Sequence, residues 1–240
     1  MKTITTKLSL VFLFIILTGG FAFGQTDLFF DKADVLFGKY VSNGKVDYAA
    51  LKENPEALLS VIEKAKTITV SSSNTKTYQA FWINAYNISV IKGIIDNYPI
   101  KSPLDKKGFF DKIKYEIGGK FITLNDIEHK LLRGVFKEEA RFHFVLVCAG
   151  LGCPPIINKA YLPASLEAQL QQQTEIALNN PNFIKVKGKK VQLSQIFEWF
   201  KGDFTHSGNE IEYINKFRKE PIPTNAKVSY YSYDWRLNSI

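Results

Sequence analysis

Within fifteen residues, RFHFVLVCAGLGCPP from Arg141 to Pro155, the chain places an arginine, one of its three histidines and both of its cysteines. A thiolate beside an imidazole is what nucleophilic catalysis uses, so Cys148 with His143 or His129 as base is one chemistry this stretch could perform. Two cysteines with four residues between them, two of these Gly, can instead close a disulfide, Cys148 to Cys153, across a bend. Zinc is the weakest of the three readings. C-x4-C is not a knuckle spacing, and the histidines would have to converge by folding alone. No metal or cofactor is expected: neither KYEIGGK nor KVKGKK has a phosphate-loop pattern, which leaves nucleotide binding unsupported, and separately no Ser sits in a nucleophile-elbow context.

The arginines sharpen the picture. The chain has 31 basic residues but only four Arg, and two of them, Arg133 and Arg141, fall in the same region as His129 and His143. A guanidinium fork grips a carboxylate or phosphate at two points, which a lysine cannot do. In IEHKLLRG a helix puts His129 and Arg133 on one face and turns Glu128 about 100° away. If RFHFVLV is a strand, Arg141 and His143 share a face as well. Upstream, Asn84 and Asn87 lie three apart in an otherwise apolar segment and must find hydrogen-bond partners there. These residues divide into a candidate catalytic set, Cys148, His143, His129 and Glu128, and a candidate ligand-binding set, Arg133, Arg141, Asn84 and Asn87. One shared pocket for a small anionic molecule or an envelope component is the expectation. The plainer alternatives are a packed His143 and an internal Arg141–Asp234 ion pair.

The elements that must position these residues read as an α+β fold, several helices packed on a modest, mainly antiparallel sheet. LFFDKADVLFGKYV has helical spacing and stops at Gly44. PEALLSVIEKAK is a second helix with Pro55 in its first turn. TKTYQAFWINAYNISVIKGIIDNYP is apolar nearly all round, so its helix belongs in the middle of the domain, with Trp82 and Tyr86 as core. KYEIGGKFITL reads as a hairpin at Gly118 and Gly119, followed by a short helix capped by Thr123 and stopped at Gly134. RFHFVLVCAG, rich in Val and Phe, reads as a buried strand. Then come a helix from Ser165 to Asn179, a hairpin at Gly188, and a Ser194-capped helix carrying Trp199, which also reads as core. The last strand, KVSYYSYDWRLN, points Val228, Tyr230, Ser232 and Asp234 one way.

FWINAYN, IEHKLLRG, RFHFVLVCAGLGCPP and the terminal YDWRLN, in this order over roughly Tyr78 to Asn238, resemble the family catalogued as domain of unknown function 547. That resemblance implies an exported or multidomain-associated α+β module with no established reaction. A helix followed by a His-bearing strand is also similar in plan to papain-like and transglutaminase-like folds. This chain departs from them by offering Asn84 where they place a nucleophilic Cys. A thiol-dependent hydrolase or acyl transferase would therefore have to be rebuilt around Cys148.

The first 24 residues carry Lys2 and Lys7, an apolar run from Leu8 to Leu17, and the small residues Ala22 and Gly24 at cleavage-site spacing. They read as a signal peptide, since a run of about ten apolar residues is too short for a bilayer. The expectation is an exported, periplasmic or secreted domain from Gln25 onward with no membrane span. The formal charge of the whole chain is +8, carried mainly by dispersed lysines without a basic–aromatic run. That disfavours nucleic acid and allows weak attraction to anionic envelope surfaces.

Overall fold

The computed structural model describes residues 24–240. The expected leader, apart from Gly24, lies outside the described residues. Helix α1 (24–40) packs Phe29, Ala33, Leu36 and Phe37 inward. It ends before Gly44, which with Asn43 forms the turn of a small hairpin, β1 (Val41–Ser42) and β2 (Lys45–Val46). Both turn residues have positive φ, 51° and 77°, as the tightest hairpin turn requires and Asn-Gly supplies. Gly44 thus turns a hairpin instead of stopping the helix.

Helices α2 (Tyr48–Glu53) and α3 (Glu56–Lys66) lean on α4 (Thr75–Asn97), the long central helix. The side chain of Asn74 caps α4, and its residues from Ala80 to Ile91 are all buried. A helix buried all round has no solvated face for polar side chains, so Asn84 and Asn87 must bond inside the protein. Both do so with backbone. Asn84 donates to the Tyr161 carbonyl at 2.7 Å and accepts from the Tyr161 N–H at 3.0 Å. Asn87 donates to the Val145 carbonyl and accepts from the Val147 N–H, each at 2.9 Å. Each carboxamide behaves as a neighbouring peptide would, pairing a chain segment that has no strand partner.

Hairpin β3 (Lys114–Ile117) and β4 (Lys120–Thr123) turns at Gly118 and Gly119. Helix α5 (Leu124–Asp126), capped by the Thr123 hydroxyl, continues into wide turns over Ile127–Leu132, where the Arg133 N–H reaches back five residues to the Glu128 carbonyl. Such widened turns recur at functional sites. RFHFV is not a strand: Ala140–Phe144 forms a tight 3-10 turn whose start is capped by the Glu139 carboxylate. The run of bulky apolar residues reflects burial on every side, which periodicity alone cannot distinguish from a strand. Arg141 and His143 consequently do not share a face.

The remaining elements are α6 (Leu166–Asn179), β5 (Ile184–Lys187), β6 (Lys190–Ser194), α7 (Gln195–Trp199), α8 (Lys201–Phe204), α9 (Glu210–Asn215) and β7 (Lys227–Tyr231). Strand β6 is central, antiparallel to β5 and parallel to β7. The fold is α+β with small sheets, largely antiparallel apart from this β6–β7 pair. Strand β7 stops at Tyr231, before Ser232 and Asp234. One apolar cluster surrounds α4, and a second joins the three-stranded sheet to α7, α8 and α9. Cys153 packs against both clusters, so the 148–153 bend sits at their seam.

Candidate functional site

A cavity of about 430 Å³ opens at that seam. Tyr86 of α4 forms one wall, Glu128 and His129 come from the wide turns, and His143, Leu146, Cys148 and Cys153 from the 3-10 turn and the bend. Ile196, Trp199 and Phe200, from α7 and its end, face Tyr233 and Trp235 of the C-terminal segment. Aromatic rings therefore make up much of the lining. Trp199, expected in the core, is 45% exposed at the rim, where its ring lies 5.1 Å from Tyr233 and 6.0 Å from Trp235.

The charged groups form a chain along one side. Asp203 of α8 takes both ends of the Arg133 fork, at 2.6 Å from Nε and 3.0 Å from the second terminal nitrogen. It also lies 2.7 Å from His143 Nε2. Burial would raise the Asp203 pKa, but hydrogen bonds from His143 and Arg133 outweigh it and hold the carboxyl well below the usual carboxylate range. His143 is buried, which pushes its pKa down, and Asp203 offsets that only in part. A neutral imidazole facing an ionised carboxylate donates from Nε2 and leaves Nδ1 as a lone pair. Arg133 also reaches His129 Nδ1 at 2.6 Å. His129 is lowered by burial and then by the Arg133 charge. The ring of Phe200 stacks on His143 at 4.3 Å and carries the Arg133 guanidinium at 4.6 Å on a face, a contact that favours a cation.

Glu128 is the exception. Its side chain is part of the cavity lining, and no described residue hydrogen-bonds or ion-pairs with its carboxyl. Burial pushes its pKa up to about 7, Arg133 pulls the other way, and Asp203 adds to the rise. A carboxyl titrating near neutrality in a cavity is the type of perturbed group that marks functional sites.

Cys148 and Cys153 lie at disulfide distance with Cα atoms 6.4 Å apart, and no free cysteine remains among the described residues. The Tyr233 hydroxyl is 2.8 Å from Cys148 Sγ and 2.9 Å from Cys153 Sγ. Among the described residues no group of His, Cys, Asp and Glu has the arrangement to hold a metal ion, and no helix is long and apolar enough to cross a membrane.

The cavity thus gathers Glu128, His129, His143 and Cys148 from the sequence-derived set, with Cys153 beside them. Arg133 stands behind the wall, committed to Asp203. Asn84 and Asn87 are elsewhere, spent on backbone. Arg141 is also elsewhere: Glu139 and Glu167 hold it, at 2.7 Å from Nε and 2.6 Å from a terminal nitrogen respectively. Asp234 pairs with Arg236, not with Arg141. Sequence reading missed Asp203, Phe200, Tyr233 and Trp235, which lie 72 to 107 positions from Glu128 and reach the site only through the second cluster. The one signal for them was the aromatic density of FEWFKGDF and YDW.

No curated protein and no solved structure matches the chain. Residues 70–178, which include α4, the Glu128 turns and the cysteine bend but not Asp203 or the C-terminal aromatic residues, match a family model. Over that stretch the chain is similar to the family described as protein of unknown function, DUF547.

Proposed function

We propose that the chain is exported and that its domain binds a small organic amine, ring body against the aromatic lining and ammonium head on Glu128. The observation that carries this reading is Glu128, a carboxyl in the lining that has no bonded partner among the described residues, at a pKa of about 7. A cationic donor would supply the missing partner, and the neighbouring aromatic faces would favour the same charge. An anion, the ligand class expected from the arginines, finds no fork here: Asp203 occupies Arg133, and Glu139 and Glu167 occupy Arg141. Thermal-shift measurements with benzylamine, benzyl alcohol and benzoate test the choice of head group on one ring. Benzylamine should raise the melting temperature of the wild type and not of Glu128→Gln. Benzoate raising it instead would reject the reading.

A thiol-dependent hydrolase or acyl transferase is a second reading, favoured by one observation. Cys148 and His143 line the same cavity, and Asp203 orients the imidazole. It requires a reduced Cys148. Alkylation by iodoacetamide of the native exported protein would favour it, and two protected sulfurs would dismiss it.

A further inference from the structure

The three-stranded sheet presents a face that the cavity does not use. Register alternates cleanly: Val191 and Leu193 of β6 point into the second apolar cluster, while Lys190 and Gln192 point out. On the outer side Lys187 is paired with Lys190, and Lys190 with Lys227, so three ammonium groups form one row across three strands. Lys185 follows on the same face, and Lys189 lies in the adjoining turn. None of the five is in an ion pair among the described residues. A hollow of about 510 Å³ at this place is lined by four of the lysines and no carboxylate.

Like charges directly opposite one another in a sheet oppose pairing. Lysines on edge strands are a common guard against edge-to-edge association, and that accounts for Lys187 and Lys227. It does not account for Lys190, which is on the central strand. The row therefore works against the fold unless something anionic covers it. Lysines are hydrated point charges suited to a diffuse anionic surface, whereas arginine forks suit discrete phosphates. The face has no row of aromatic rings on which bases could stack.

We infer that the outer face of β5–β6–β7 docks on an anionic phospholipid surface. This does not depend on the amine-binding reading, because the face lies outside that cavity. Sedimentation with vesicles containing about one-third phosphatidylglycerol at low salt should show binding, and phosphatidylcholine vesicles should show none. The triple change Lys187→Gln, Lys190→Gln, Lys227→Gln should weaken vesicle binding by about 100-fold, and Lys190→Gln alone by about fivefold. Neither should lower the melting temperature without lipid, since each relieves repulsion. Removing the exposed Lys107, Lys137 and Lys159 instead, an equal loss of charge, should change binding much less. The inference is overturned if wild type ignores the anionic vesicles, if both triple variants lose equally, or if the row lysines prove to stabilise the fold. Binding of single-stranded RNA without binding of vesicles would overturn it as well.

Discussion

At the level of single residues the proposed amine site turns on Glu128. Its pKa in the folded chain, about 7, lies above the ordinary carboxyl value, so the folded protein holds a proton that the unfolded chain releases between roughly pH 4.5 and 7. Stability from this group is therefore fully present in acid and is lost as pH rises through neutrality. Glu128→Gln should raise unfolding free energy by roughly 1 to 3 kcal/mol at pH 8 and change it little at pH 4.5, as urea titrations at the two pH values would show. Equal effects at both would contradict the burial of this carboxyl. Asp203 has the opposite sign. Its pKa is depressed in the folded state, so its contribution is present above the ordinary carboxyl range and fades as pH falls below it. Asp203→Asn removes the partner of Arg133 and half-strands His143, and should cost about 3 kcal/mol at neutral pH by the same titration.

Among the elements, α4 and the 140–153 segment depend on each other. Val145 and Val147, just beyond the 3-10 turn, have no strand partner, and Asn87 stands in for one, whereas the bend after them bridges the C-terminal segment at Gly150 and Leu237. Asn87→Leu would leave the Val145 carbonyl and the Val147 N–H without it, at about 2 to 3 kcal/mol measured by chemical denaturation. Benzylamine binding to the folded fraction should persist, because Asn87 is outside the cavity. Much of this architecture was legible in the sequence. The buried central helix, the glycine hairpins at Gly118–Gly119 and Gly188, and the caps at Thr123 and Ser194 follow from local chemistry that tertiary contacts do not override. RFHFVLV was not legible, because a segment buried on all sides has no period. The polar set was half legible for a related reason. Residue types announced that partners were needed, but whether a partner is a ligand, a carboxylate or a backbone amide depends on residues far away in the chain. Glu139, Glu167 and Asp203 answered that question for the two arginines.

At the scale of the molecule, two apolar clusters meet at one seam, and the cavity, the cysteine bend and the C-terminal aromatic residues all lie there. If the cysteines are joined, reduction should lower the melting temperature without unfolding the protein, by roughly 2 to 3 kcal/mol for so short a loop. Scanning calorimetry with and without a reductant measures this, and non-reducing peptide mapping establishes the bond. Export predicts a mature chain beginning at Gln25, read by intact mass on protein released from the producing cell, whereas a species retaining Met1 to Gly24 would reject cleavage. The cavity's role turns on whether Glu128 receives a cation. Titration calorimetry of benzylamine against wild type at pH 6 and pH 8 tests it, because ionisation of a carboxyl with pKa near 7 should tighten binding by about tenfold over that interval. That gain should vanish in Glu128→Gln. Binding that is independent of pH, or unchanged by the substitution, would contradict the assignment of Glu128 as the cation's partner.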